Sequence, residues 1–191
     1  MANLDWELLD SEYLFKDNWL TARKDRCRMP EGKIVDPYYV LEYPDWVNAL
    51  AITEKGEILM IRQYRHAFGK TILEIPGGSM DPADDSPRTA MQRELLEETG
   101  YLFEVFDPLG SISPNPSTNN NLTHMFIAKG GRKVREQQLD HNEEIEVLLM
   151  TPDQVMKLLQ ENKIVQSLHV TNLFYAFLQL GWLRRPALLP L

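Results

Sequence analysis

The stretch GGSMDPADDSPRTAMQRELLEETGY, residues 77–101, decides how this chain folds. It follows a short apolar run, Ile72-Leu73-Glu74-Ile75, that stops at Pro76-Gly77-Gly78. Proline removes a ladder donor there, and the glycines allow positive φ and close backbone approach. The loop DPADD then leads to Ser86-Pro87, a helix start, because serine caps the first free amides and proline fits the first turn. Gly100 is the matching stop. The stretch therefore reads as a strand, a Gly-Gly loop and a helix from about Pro87 to Thr99.

On that helix Glu94, Glu97 and Glu98 fall at i, i+3 and i+4 and share one face. Three helical glutamates ordinarily make a solvated acidic face, but two features argue for more. The carboxylates sit in the C-terminal half, where the macrodipole disfavours negative charge, and Glu94 with Glu98 is a like-charged i,i+4 pair. A divalent cation would repay that placement, and hard oxygen ligands on one rigid face suit Mg²⁺ or Mn²⁺. Gly77 or Gly78, just ahead of the helix, can present a bare backbone carbonyl or amide to the same metal or phosphate.

Upstream, the apolar runs Trp46–Ile52 and Ile58–Tyr64, separated by TEKGE, read as a hairpin. Pro44-Asp45 marks a boundary between residues 1–45 and 46–191, since the residue before a proline is pushed extended and aspartate favours turns. Within the first part, Trp19–Ala22 and Ile34–Tyr43 flank the turn Pro30-Glu31-Gly32-Lys33 and predict a small hairpin or meander. Downstream, strands are expected at Asn121–Ala128 and Ile145–Met150, followed by amphipathic helices over Pro152–Asn162 and about Val165–Leu180. Strands followed by helices predict an α+β fold or an α/β/α sandwich.

The 191 residues carry 28 acids against 20 Lys and Arg, a net charge of −8, which excludes a nonspecific nucleic-acid binder. At 43% hydrophobic and 25% charged, the composition is that of a folded domain rather than a disordered or fibrous chain. A single cysteine, Cys27, forms no internal disulfide and reads as a partly buried small side chain. The opening MANLDWELLD places acids where a signal peptide carries positive charge, and no run approaches the ~20 apolar residues that span a bilayer. A cytoplasmic protein is expected, with no nucleic-acid or membrane partner.

Residues 77–101 resemble the signature of the Nudix hydrolases: Gly, five residues, Glu, seven residues, then Arg-Glu-U-x-Glu-Glu-x-Gly-U, with U a bulky apolar residue. Arg93 to Tyr101 matches this second half throughout. Counted from Gly78, Arg93 arrives one residue late, and Asp84 or Asp85 stands for the first glutamate. The resemblance implies a Nudix-type α/β/α sandwich with a mixed sheet over 46–191, and a small N-terminal antiparallel β meander over 1–45. It implies hydrolysis of a nucleoside diphosphate linked to another moiety. Glu94 and Glu98 would ligate the metal, Glu97 would bind a further ion or its waters, and the Gly77 carbonyl would be a backbone ligand. Gly78 would face the phosphate, and Arg93 would hold helix and loop through a buried ion pair.

Outside the signature the chain resembles the ADP-ribose pyrophosphatase branch. Pro116 lies fifteen residues after Tyr101, and Arg65 closes the run Gln63-Tyr64-Arg65. By that resemblance Arg65 would contact a phosphate, and Glu143 in DHNEEIEV would be the general base, with Glu144 as the alternate. His141 shares that loop. His66, His124 and His169 show no metal-like spacing and read as surface or satisfied structural residues. Members of the branch exchange N-terminal strands across a homodimer, so residues 1–45 would be a dimerisation subdomain, with Tyr38, Tyr39 and Trp46 placed to stack on an adenine in the partner's site. The expected activity is metal-dependent cleavage of ADP-ribose or a related nucleoside diphosphate sugar to a nucleoside monophosphate and a sugar phosphate. Alternatives are NADH, a diadenosine polyphosphate, a GDP-sugar or a nucleoside triphosphate as substrate, or a module that binds nucleotide sugars without cleaving them.

Overall fold

The structure, a computed structural model, describes residues 3–17 and 20–183, so Trp19 of the first expected strand lies outside the described residues. The chain divides into two compact units, residues 1–45 with 113–122, and residues 46–112 with 123–191.

In the first unit, β1 (Glu7–Lys16), β2 (Thr21–Arg28) and β3 (Ile34–Glu42) form an antiparallel sheet in that order. β2 and β3 turn through Pro30-Glu31-Gly32, with the Gly32 amide donating to the Met29 carbonyl at 2.8 Å. The meander expected from the sequence is present and gains β1 as a third strand. Asp25 is the one buried acid among its described residues, held by the Ser11 hydroxyl and by Arg23 at 3.2 Å. Residues 113–122 lie along β3, where the Leu41 amide donates to the Thr118 carbonyl at 2.7 Å. Cys27 is half-buried with a free thiol.

The second unit is built on a mixed sheet. Its strands are β4 (Trp46–Thr53), β5 (Ile58–Arg65), β6 (Lys70–Glu74), β7 (Gly77–Ser79), β8 (Tyr101–Leu102), β9 (Val105–Ile112), β10 (Thr123–Lys133) and β11 (Ile145–Met150). The helices are α1 (Pro87–Thr99), α2 (Pro152–Gln160) and α3 (Ser167–Gln179). The central order is β11-β5-β4-β10-β8, with β6 on β5, β7 on β4 and β9 on β10. β4 and β10 run parallel and the other pairs antiparallel.

The period-2 alternation of β4 sends its side chains to two cores. Val47, Ala49 and Ala51 pack with Ala90, Met91 and Leu95 of α1, while Leu50 packs with Val155 of α2 and with Leu173, Ala176 and Phe177 of α3. Helices thus cover both faces of the sheet, which is the sandwich expected. No helix among the described residues is long and apolar enough to cross a membrane.

A cluster of polar contacts crosses the second core. Asn172 of α3 is fully buried, and its Nδ2 donates to Asn48 Oδ1 at 2.7 Å, to the Asn48 carbonyl at 3.2 Å and to the Phe126 carbonyl at 3.3 Å. Asn48 is the residue of β4 that pairs with Gly77 of β7, so α3 is fastened directly behind the Gly-Gly edge. Replacing Asn172 with alanine leaves buried acceptors unpaired, and should cost about 2–3 kcal/mol of unfolding free energy, read as a lower urea midpoint at unchanged slope.

Candidate active site

The metal-type face is assembled where α1 meets β7. The Ser86 side chain caps α1 by accepting from the Thr89 amide at 3.2 Å, Pro87 occupies the first turn, and Gly100 closes the helix in the left-handed region at φ 76°. These are the start and stop expected from the sequence. β7 lies on β4 in the register Trp46↔Ser79, Val47↔Gly78 and Asn48↔Gly77, so the Gly-Gly segment is an ordered strand edge rather than a loop. A Cβ on Gly78 would overlap the Glu94 carboxylate; only glycine lets that side chain lie against the backbone. The Gly77 amide donates to Glu98 Oε2 at 3.0 Å.

Two carboxylates one helical turn apart are thereby seated in the protein. The Glu94 side chain is 13% exposed and Glu98 4%, whereas the Glu97 side chain, at 39%, reaches solvent. Burial is the main reason the Glu94 carboxyl is pushed up to about 7; the Arg93 cation opposes the shift, and the charges of Glu97 and Glu143 add to it. Glu98 is raised well above the usual carboxylate range, first by burial and then by the charge of Glu94. The Gly77 amide and Arg65 pull the other way, and Glu143 adds to the rise.

Arg93 fixes this face to the loop before it. Its Nε and Nη2 donate to Asp84 at 3.2 and 2.8 Å, Nη2 also to the Ser79 carbonyl at 2.9 Å, and Nη1 to Glu94 and Glu97 at 3.1 Å each. Of the two aspartates left open by the sequence, Asp84 takes the guanidinium and Asp85 is exposed. The shorter side chain reaches because the loop folds back on itself: the Asp81 amide donates to Asp84 Oδ2 at 2.8 Å, and the Asp84 amide to the Asp81 carbonyl at 2.9 Å. Hydrogen bonding from Arg93 holds the Asp84 carboxyl below its ordinary range.

Glu143 lies in the loop before β11. It is half-buried, accepts from the Asp140 amide at 3.2 Å, and its charge acts on both Glu94 and Glu98; Glu144 beside it is exposed. Gln137, which the sequence did not single out, ties this loop to the helix. Its Nε2 donates to the Glu98 carbonyl at 2.6 Å and to the Ile145 carbonyl at 3.0 Å. The Gln138 amide donates to the Glu97 carbonyl at 2.9 Å, so two of the orphan carbonyls at the end of α1 are satisfied by the segment that leads to Glu143.

Arg65, at the end of β5, donates from Nε to Glu74 Oε2 at 2.9 Å. The expectation for His169 needs correcting. It is buried rather than on the surface, and its Nδ1 has no hydrogen-bond partner among the described residues. Burial is the main cause, and the charge of Arg65 a second, that pushes its ring down to about 3 and keeps it neutral. Glu74 of β6 is buried as well.

Of the residues expected to meet the base, Tyr38 and Tyr39 lie in the first unit with Pro116, whereas Trp46 is the first residue of β4 in the second. Tyr38 donates its hydroxyl to the Ser117 carbonyl at 2.7 Å, next to the exposed Pro116, and Tyr39 is 58% exposed. Arg65, Gly77, Gly78, Glu94, Glu97, Glu98 and Glu143 all belong to the second unit.

A divalent cation fits the second unit's carboxylate set. Glu94 and Glu98 are hard oxygen donors buried side by side, and the proton affinity of each is raised, chiefly by burial, a cost that a cation would relieve. Among the described residues no three acidic, histidine or cysteine side chains converge as a closed shell. A few carboxylates supplemented by backbone oxygen, water and substrate phosphate is the arrangement Mg²⁺ takes.

Comparison with known proteins agrees with this geometry. Residues 43–169 match the NUDIX domain, and residues 6–41 match the nucleoside diphosphate sugar hydrolase N-terminal domain. The chain is 31% identical over 172 residues to the methanol dehydrogenase activator of Bacillus methanolicus, covering 90% of this chain and 92% of that one. It is 28% identical over 168 residues to the ADP-ribose pyrophosphatase of Bacillus subtilis, covering 87% and 90%. The crystal structure of an ADP compounds hydrolase superposes with a TM-score of 0.82 over 95% of this chain and 98% of that chain, at 20% identity, and so shares the fold. With the NUDIX match spanning two thirds of its length, this chain belongs to the Nudix family.

Proposed function

We propose that the chain is a metal-dependent pyrophosphohydrolase that cleaves the diphosphate of ADP-ribose, or of a related nucleoside diphosphate sugar, to a nucleoside monophosphate and a sugar phosphate. The observation that carries this reading is the buried Glu94–Glu98 pair seated on the Gly77–Gly78 edge, with a third acid, Glu143, within electrostatic reach. The ADP-ribose pyrophosphatase of Bacillus subtilis, alignable over most of both chains, and the match of residues 6–41 to the nucleotide-sugar N-terminal domain support the substrate class.

In this reading Glu94, Glu98 and the Gly77 carbonyl hold Mg²⁺ or Mn²⁺, and Glu97 holds a further ion or its waters. When bound, the cation supplies Lewis-acid polarisation of the phosphoryl oxygens and eases deprotonation of the attacking water. Glu143 accepts the proton of that water, Gly78 lets the phosphate approach the backbone, and Arg65 grips a phosphate oxygen. Arg93 touches no substrate; it keeps the glutamates where the ion needs them.

The three-stranded sheet of the first unit carries exposed Leu8, Tyr13, Phe15, Ile34 and Tyr39, an apolar surface that supports pairing with a second copy. Tyr38, Tyr39 and Pro116 would then serve the nucleoside end of the substrate. The free Cys27 thiol fits a reducing cytoplasm.

Incubation with ADP-ribose and Mg²⁺, followed by chromatography, should yield AMP and ribose 5-phosphate, and a chelator should abolish turnover. Glu143→Gln should lower kcat on the order of 10²–10⁴-fold, as expected for loss of a general base, while Glu144→Gln leaves it nearly unchanged. Binding of a nonhydrolysable analogue with no turnover by the unaltered chain would favour the binding-module alternative instead. Sedimentation should give a particle of twice the 22.2 kDa chain mass.

Stability of the metal-free chain should fall as pH rises. Glu94 binds its proton more tightly in the folded state (about 7) than at its ordinary 4.5, so its contribution is complete below 4.5 and is lost through about 7. This one group is worth on the order of 3 kcal/mol. Melting with a chelator at about pH 5 and about pH 8 should show the higher Tm at the lower pH, and added Mg²⁺ should narrow the gap.

A further inference from the structure

Glu74 is the one acid in the run Ile72–Ile75, and its side chain is fully buried. A buried carboxylate with a single partner is expensive, and an ion pair of this kind rarely stabilises a fold more than apolar residues of the same volume. Its partner is half in solvent: the Arg65 side chain is 43% exposed and commits only Nε, at 2.9 Å, to Glu74 Oε2. Nη1 and Nη2 of Arg65 make no hydrogen bond among the described residues. The guanidinium lies close enough to the metal-type face for its charge to act on Glu98.

The other side of Glu74 is also unfinished. Oε1 has no hydrogen-bond partner among the described residues, nor has Nδ1 of the buried His169, which lies 3.8 Å away. Two orphaned polar atoms facing each other across less than an ångström beyond bonding distance are a poor stability device. Polar contacts at such sites are often long in the ligand-free protein and tighten only when substrate is bound.

We propose that Glu74 is the positioning residue for Arg65: it holds the guanidinium by Nε, with His169 behind it, so that both terminal amino groups are left to take two oxygens of an anionic phosphoryl group. This rests on the reading of Arg65 as the phosphate contact. The geometry divides the guanidinium into an anchored edge and a presented edge, and the presented edge matches a phosphate in the two-pronged manner that lysine cannot copy. Burial pushes the Glu74 carboxyl above its usual range, and the Arg65 cation and its hydrogen bond oppose that rise.

The test is steady-state hydrolysis of ADP-ribose with Mg²⁺ by the full chain and by Arg65→Ala, Glu74→Gln and the double variant. Glu74→Gln should raise KM about tenfold with kcat within about threefold, and the double variant should be no worse than Arg65→Ala alone, since residues acting as a unit are not additive. Effects that multiply in the double variant, or a Glu74→Gln that lowers Tm while KM stays put, would overturn the positioning role. An unchanged KM in Arg65→Ala would overturn the phosphate reading itself, which separates the two failures. Should Glu74→Gln not fold, Glu74→Asp keeps the charge but withdraws it by one methylene, and the same rise in KM and the same cycle with Arg65→Ala decide the matter.

Discussion

The site depends on what Arg93 does with its guanidinium. Glu94 and Glu98 are like charges on one helical turn, pressed into the interior beside a strand edge, and nothing in helix propensity or apolar burial favours that position. Arg93 compensates by spending its donors on both sides of the junction: Asp84 and the Ser79 carbonyl on the loop, Glu94 and Glu97 on the helix. It thereby fixes the distance between α1 and β7, and that distance decides whether Glu94 lies on Gly78 and whether Glu98 meets the Gly77 amide. A lysine would place one point charge there and could not hold loop and helix at once.

This interaction also explains which parts of the site were legible in the sequence. The Ser86 cap, the Gly100 stop and the glutamate spacing are local, and each carries its mechanism within a few residues. The choice between Asp84 and Asp85 depends on how the loop folds back, since the Asp81–Asp84 turn brings one carboxylate to Arg93, nine residues on, and adjacent aspartates do not show that turn in their types alone. Glu74 and His169 were missed for a stronger version of the same reason. They are far apart in sequence and meet only because α3 packs over the sheet, so each looks alone like a strand acid and an ordinary helical histidine.

The strands show a similar division. β4, β5 and β11 are apolar runs bounded by turn residues and were read directly. β9 was not, because Pro108 and Gly110 look like breakers; they are tolerated since β9 pairs only with β10, and that pairing shifts register at Met125/Phe126, opposite them. β10 runs past its expected end at Ala128 to Lys133, through a register shift between Lys129 and Gly131 in its pairing with β4. β1 was missed because nearly all its residues are exposed, leaving no buried face to impose a period-2 pattern on the sequence.

The charge of −8 takes its meaning from this placement. An acidic chain repels a diphosphate on average, so a phosphate-handling site must reverse the sign locally. In the proposed reading two devices do this together. The Glu94–Glu98 pair is too buried to be well solvated by water, and is therefore a better seat for a divalent cation than a solvated acidic face would be. Arg65, whose charge reaches Glu98 but whose own partner is a single buried carboxylate, presents the remaining cationic edge. The two are complementary because the substrate's anionic oxygens can then be shared between a cation held by acids and a guanidinium held by an acid. The rest of the acidity still acts against long polyanions, which need many such contacts along a surface rather than one compact spot.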